Sequence, residues 1–273
     1  MRLKFLFLSF IFFLFSSCKR EFHNPLDPES PAYIPPSVEI VSPVENETIN
    51  STSVTILWFG NRPDVNEYRY RLIDYSDWSE WTNATSATFD YLDDVEYTFE
   101  IEVRYRGGAD VRKFSRKFKV DAIKGPTLKF YKLRNIVKLG NEFYISVWIE
   151  DINKFKSAGF KVDFNKDVLS FLSLQEGEFV LRSGLGQVIV PDFSLQRFID
   201  EVNSKGEVEV TTGVFGNTST GYSLSGSGEI IKFKFKAKEI GEGYFKLKDV
   251  NVLDEDGNSV MILQTPKAYV KVR

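Results

Sequence analysis

This 273-residue chain carries one cysteine and one histidine. With Cys18 as its single thiol it can form no intramolecular disulfide, so packing alone must hold the fold. The sole imidazole, His23, lies in a proline-rich stretch near the N-terminus. A Ser-His-Asp or Cys-His nucleophilic site therefore has no base in the rest of the sequence. No Cys/His spacing for zinc exists either. Excess basic charge is missing too: 35 Lys and Arg against 38 Asp and Glu leave a net charge of −3. That balance offers no electrostatic field for nucleic acid. The 38 acids offer many carboxylate pairs, but glycoside hydrolysis also needs a large cleft around such a pair. The expectation is a chain that is not an enzyme, with no catalytic residue, no metal ligands and no cofactor.

Long apolar runs are scarce as well. The one concentrated stretch is Phe5–Phe15, preceded by Arg2 and Lys4 and followed by Ser16-Ser17-Cys18. It is shorter than the roughly 20 residues that span a bilayer. Two positive charges, an apolar segment and two small residues make a secretory signal peptide over 1–17. A cysteine directly after the small pair resembles the lipobox of bacterial lipoproteins, with Phe15 where Leu is usual. The resemblance implies that Cys18 becomes the lipidated N-terminus and that the membrane is contacted through this lipid. Two or three acyl chains suffice for stable anchoring. Lys19, in place of Asp, implies the outer membrane or cell surface as the address. Residues 18–36 follow with Pro25, Pro28, Pro31, Pro35 and Pro36, a density that predicts a stiff, extended spacer.

What is abundant is aromatic residues: 25 Phe, 12 Tyr and 4 Trp, enough to fill two cores in the 255 or so residues left after the leader. The pattern is all-β, and two β-sandwich domains in tandem are predicted, over 37–123 and 127–273. In the first, Val54–Trp58, Tyr68–Leu72 and Tyr97–Tyr105 alternate or are β-branched and aromatic, with turn residues between them. About seven short strands is the count of an immunoglobulin-like sandwich. The stretches Thr55–Trp58, Tyr68–Leu72, Trp78-Ser79-Glu80-Trp81-Thr82, Tyr97–Val103 and Phe114–Asp121 resemble a bacterial fibronectin type III-like domain. Trp78 and Trp81 could form a platform for sugar rings. The framework alternative, one ring in the core and the other over an Arg stem, is the reading preferred here.

Lys124-Gly125-Pro126 marks the linker, and longer strands follow. Phe233 and Phe235 alternate with Lys232, Lys234 and Lys236, which sets one face toward a core and one toward water. The sequence offers one helical candidate, Phe193–Val202, with a poor apolar stripe, and no helix much beyond two turns. Three stretches, Ser157–Leu169, Gly226–Ala237 and Leu247–Val260, resemble a cohesin domain, a jelly-roll sandwich that binds dockerins. The period of two points Phe160, Val162 and Phe164 inward and Ser157, Gly159, Lys161 and Asp163 outward. The resemblance implies that the outer face around Ser157, Lys161 and Asp163 docks a dockerin-like protein partner. Ser157 and Gly159 stand where well-known members carry Asn and Asp, so the ligand stays open. A polysaccharide, with the chain acting as a carbohydrate-binding module, and a purely structural envelope role are the alternatives.

Two other motifs resolve to bland readings. Asp254-Glu255-Asp256-Gly257-Asn258 begins like a calcium loop, but its twelfth position is Thr265 and not an acid, so a hairpin turn is expected. The Gly/Ser/Thr run Gly213–Gly228 lacks the Gly-Lys-Ser/Thr ending of a phosphate-binding loop and is expected to be a long loop.

Overall fold

Alternation builds the first sandwich. Strands β1 (Val38–Ser42), β3 (Val54–Gly60) and β5 (Ser86–Phe89) form a three-stranded sheet. Strands β2 (Glu47–Ile49), β7 (Arg112–Val120), β6 (Glu96–Tyr105) and β4 (Asn66–Leu72) form a four-stranded one, in that order. In β3, Val54, Ile56 and Trp58 are buried while the residues between them face water, as a half-buried strand requires. Trp58 is the centre of this core. Its ring centroid lies 5.1 Å from Tyr70, 5.7 Å from Phe99 and 6.1 Å from Tyr68, distances typical of favourable aromatic pairs.

The computed structural model describes residues 24–191, 194–216 and 223–273. Cys18, with the lipid-anchor expectation it carries, lies outside the described residues, as do His23 and Phe193. No helix among the described residues is long and apolar enough to cross a membrane. The proline-rich segment from Asn24 is not extended. It makes successive turns, closed by Asp27, Ser30 and Tyr33 amides donating to carbonyls three residues back. It also docks on the first sandwich: the Tyr33 hydroxyl donates to Asp110 at 2.6 Å and the Tyr105 hydroxyl to the Ile34 carbonyl at 2.7 Å. Local Asx and Ser caps explain the difference, because Asn24, Asp27 and Ser30 each accept an amide two residues on, a turn chemistry that competes with extension.

The second sandwich is organised by one strand. After β8 (Thr127–Tyr131) and β9 (Arg134–Val137), β10 runs for 22 residues from Glu142 to Asp163. The further strands are β11 (Leu169–Glu176), β12 (Gly186–Ile189), β13 (Glu207–Val214), β14 (Leu224–Ala237), β15 (Gly241–Asp254), β16 (Ser259–Val260) and β17 (Ala268–Val272). The first half of β10 pairs with β8 and β14, and its second half with β13 and β15. Register shifts between Val147 and Phe155 separate the halves, and bulges of this kind bend a strand from one layer into the next. Phe233 and Phe235 are fully buried, as their alternation predicts, and the adjacent Ile230 and Ile231 are both buried where a bulge faces Val147 and Trp148. The all-β architecture of tandem sandwiches expected from the strand pattern is what the chain adopts.

Two local expectations change. The helix spans Leu195–Lys205, three turns long, and Gly206 ends it in the left-handed region at φ 78°. Its buried residues are Phe198 and Val202, an i, i+4 pair that starts later than the stripe read from Phe193. The run Gly213–Gly228 is not one long loop either, since β13 continues to Val214 and β14 starts at Leu224.

Candidate partner-binding face

The outer face of the larger sheet is built from β12, β13, β10 and β15, side by side. The register dictates its rows. Lys161 lies opposite Glu209 on one side and Lys248 on the other; Asp163 lies opposite Glu207 and Lys246. The Lys161 ammonium pairs with Asp249 at 3.0 Å and reaches Glu207 at 3.9 Å. Lys248 pairs with Asp163 and reaches Glu207 at 4.0 Å. The hydrogen bond to Asp249, then the charges of Asp249 and Glu207, push the Lys161 pKa up. The bond to Asp163 does the same for Lys248. Two of the three site residues expected from sequence therefore meet in one charge network.

The third does not present itself. Ser157 has the outward parity, but only 8% of it is exposed. It sits between Gly213 and Leu253 at the point where β10 shifts register. The backbones there approach so closely that a Cβ on Gly213 would fall 2.8 Å from the Ser157 Cβ and 2.4 Å from the Lys156 carbonyl. Gly159 is the open position instead. A side chain there would touch only the Thr211 hydroxyl, at 3.4 Å.

Gly159 is the floor of a further row. Thr211 and Asn251 flank it, and Ile189 of β12 lies opposite Thr211. Beyond Asn251, Met261 follows directly after β16, whose pairing with β15 puts Ser259 opposite Leu253. Ile189 and Met261 are 51% and 79% exposed. The face thus has a flat glycine-floored strip with an apolar residue at each end and pre-paired charges along one side. Glu207, Glu209 and Thr211 alternate with the buried Val208 and Val210 along β13. Their placement beside Gly159 came only with the pairing register.

The other aromatic candidates fall elsewhere. Trp78 and Trp81 both lie on the outer face of the four-stranded sheet, and neither is in the core. The Arg71 and Arg69 guanidinium carbons stand 4.8 and 5.2 Å from the centre of Trp78, and those of Arg104 and Arg69 stand 4.0 and 5.1 Å from the centre of Trp81. The arginines are held in turn by Glu100, Glu102 and Glu67. Both indoles are thus occupied by cations and are framework. Where β8 pairs with the first half of β10, Tyr131 and Trp148 lie 5.5 Å apart but tilted by 51°, which is no coplanar platform. The Asp254–Asn258 segment is a hairpin, with Asp254 and Asn258 closing it and only Gly257 in the left-handed region, at φ 80°. This three-residue loop ending in a left-handed glycine is wider than a two-residue Asp-Gly turn. Among the described residues no three Asp, Glu, His or Cys side chains gather as a metal site.

No family model and no curated protein matches the chain. Solved structures resemble it over about half its length, cohesins among them. A non-cellulosomal cohesin from the archaeon Archaeoglobus fulgidus is 16% identical, with a TM-score of 0.41 over 54% of this chain and 90% of its own. The cohesin of a Coh-OlpA–Doc918 complex from Clostridium thermocellum is 11% identical, with a TM-score of 0.43 over 54% and 99%. The sixth cohesin of Acetivibrio cellulolyticus scaffoldin B, solved with a Cel5 dockerin, is 18% identical, with a TM-score of 0.42 over 55% and 100%.

Proposed function

We propose that the chain is an exported lipoprotein, anchored through Cys18, that displays a cohesin-like domain to a dockerin-like protein partner. In this reading the first sandwich is an immunoglobulin-like, fibronectin type III-like stalk. Its two-sheet division of seven strands supports that, as does Tyr97 near the start of β6, whose hydroxyl accepts the Asp93 amide four residues back at 2.9 Å, the geometry of a tyrosine corner. The second sandwich holds the partner-binding face away from the lipid headgroups. The observation that carries the reading is the open strip Ile189–Thr211–Gly159–Asn251, with Lys161 and Asp163 pre-paired beside it. Charges already paired inside the chain cost less to cover than unpaired ones, although their own desolvation still opposes binding.

Two arms test it. The lipid anchor predicts that the wild-type chain partitions with membranes and that Cys18→Ser releases it to the soluble fraction. The face predicts that the immobilised mature chain captures a dockerin-bearing protein from the source organism's secreted proteins, and that chelating calcium abolishes capture. Gly159→Arg, which plants a long side chain on the strip without a backbone collision, removes capture while the melting temperature holds. Capture unaffected by Gly159→Arg refutes this face.

A further inference from the structure

The two sandwiches meet at a cavity that neither the partner face nor the anchor uses. Its volume is about 510 Å3, inside the roughly 300–1,000 Å3 range of small-ligand sites. Tyr75, Tyr91 and Tyr97 line it from the first sandwich, and Tyr131, Phe143 and Tyr144 from the second. We propose that this junction cavity binds a neutral oligosaccharide segment, with sugar rings lying against Tyr131 and Tyr144.

Most of the aromatic wall is fixed by the protein itself. The Tyr97 ring stacks on Phe118, and Tyr91 stacks on Tyr269 at 5.5 Å and 14°. The Tyr75 hydroxyl donates to the Asp90 carbonyl at 2.7 Å, and the Arg134 guanidinium covers its ring at 4.1 Å. Tyr131 and Tyr144 are the more exposed rings, at 41% and 52%: Tyr131 rests against Trp148 with its centroid 5.5 Å away, and the Lys234 ammonium stands 5.9 Å from the centre of Tyr144. Tyr131 lies opposite Ser146 in the β8–β10 pair, so Tyr144, two residues before Ser146, is its diagonal neighbour on the same sheet face. Such neighbours lie about 7–8 Å apart. Two exposed rings at that spacing offer successive flat apolar patches, which fit the C–H faces of pyranose rings. Asp74, Glu96, Lys132 and Asn135 stand among them and supply the donors and acceptors that hydroxyl groups need.

Charge selects against other small ligands. Asp74 and Asp93 balance Lys132 and Arg134 in the lining, and Glu96 is held by Lys117, so the lining offers no surplus of cations to a phosphate or carboxylate group. Beyond Tyr75 the neighbouring cleft carries more cations, but each is held within the chain: Arg71 by Glu100, Lys271 by Glu242 and Arg273 by Asp77. A wholly apolar ligand would strand the lining charges without water. A neutral molecule that alternates apolar faces with hydroxyls meets both conditions. Its site stands apart from Gly159 and Lys161, so the two binding proposals stand or fall separately.

The test is titration calorimetry of the intact chain with cellohexaose, xylohexaose, mannohexaose and maltohexaose. Tyr131→Ala, Tyr144→Ala, Tyr144→Phe and Lys161→Glu are titrated beside the wild type. At least one neutral hexasaccharide binds the wild type, each alanine variant weakens that binding by about tenfold or more with its melting temperature kept, and Tyr144→Phe, which retains the ring, preserves it. Binding also alters the emission of Trp148, whose ring centre lies 5.5 Å from that of Tyr131. Lys161→Glu leaves the affinity unchanged. Absence of binding by all four sugars up to about 10 mM, binding indifferent to both alanine variants, or binding lost with Lys161→Glu overturns the proposal.

Discussion

Phe235→Ala tests whether the second sandwich owes its stability to its own aromatic core. Phe235 is fully buried, and four rings surround it: Phe164 at 4.9 Å, Phe245 at 5.0 Å, Phe171 at 5.6 Å and Phe143 at 6.2 Å between centroids. These neighbours come from β10, β11, β15 and the turn after β10, so they cannot all collapse into the space left by a phenyl ring. Removing a buried Phe side chain costs about 3–5 kcal/mol, and the four lost ring contacts place the variant toward the upper end. For a unit of this size each kcal/mol moves the midpoint by roughly 2–4 °C, so the variant should melt about 10 °C or more below wild type.

Calorimetry reads the shift, and hydrogen exchange followed by mass spectrometry reads its location. Peptides from β10, β14 and β15 should lose protection, while peptides from β3 and β6, which surround Trp58, keep theirs. Phe235→Leu retains most of the volume and should cost well under half as much. A loss below about 1.5 kcal/mol in Phe235→Ala would mean that the site relaxes freely. Equal loss of protection around Trp58 would mean that the two cores unfold as one. Either result refutes the reasoning.

Two acids predict opposite pH responses. Glu100 is hydrogen-bonded by Lys113 and Arg71, which together hold its carboxyl below the usual range. Its contribution, roughly 1.5–3 kcal/mol for hydrogen bonds between charged groups, is therefore present above about pH 4.5 and lost as pH falls through the depressed value. Acid denaturation of Glu100→Gln should lack that step. At the junction, burial pushes the Asp93 carboxyl up, against the opposing effect of the Leu133 amide that it accepts at 3.0 Å. The folded state then holds the proton more tightly than the unfolded chain, so stability falls as pH rises from about 3.8 through the raised value. Asp93→Asn keeps the acceptor and removes the charge, and urea titrations at pH 4 and pH 7 should show it at least as stable as wild type at pH 7, with the Asp93 share of the fall between the two pH values removed.

What was legible in the sequence was what period and composition encode. The inward set Phe160, Val162 and Phe164 and the alternation of Phe233 and Phe235 with lysines follow from the pleat alone, and all five are buried. Position relative to other strands is not encoded that way. Ser157 has the outward parity, yet a register shift and the glycine on the neighbouring strand bury it. Ile189, Asn251 and Met261 come from three segments that pairing alone brings toward Gly159. Trp78 and Trp81 read as either core or platform because their partners, Arg69, Arg71 and Arg104, are supplied by two other strands. The turns of Asn24–Tyr33 depart from the extended spacer expected over 18–36 because the interleaved Asn24, Asp27 and Ser30 cap local turns that proline density alone does not encode.

The junction bears on how a displayed face would work. Sandwiches joined by a short linker move relative to each other unless their interface restrains them. Here the restraint comes from side chains outside the linker. The Leu133 amide donates to Asp93, the Arg134 guanidinium donates to the Tyr75 carbonyl at 2.9 Å, and Tyr91 contacts Tyr269 and Tyr244 together. These contacts come from two separate turns of the first sandwich, one holding Tyr75 and the other Tyr91 and Asp93, and from the turn before β9, β9 itself, β15 and β17 of the second, so the restraint is spread around the junction. Under the proposed function, a first sandwich fixed in this way would limit the entropy lost when a partner engages the Gly159 face. It also explains why the junction can hold a formed cavity, since a hinge that flexed freely would not keep Tyr97 and Tyr144 on opposite walls of one space.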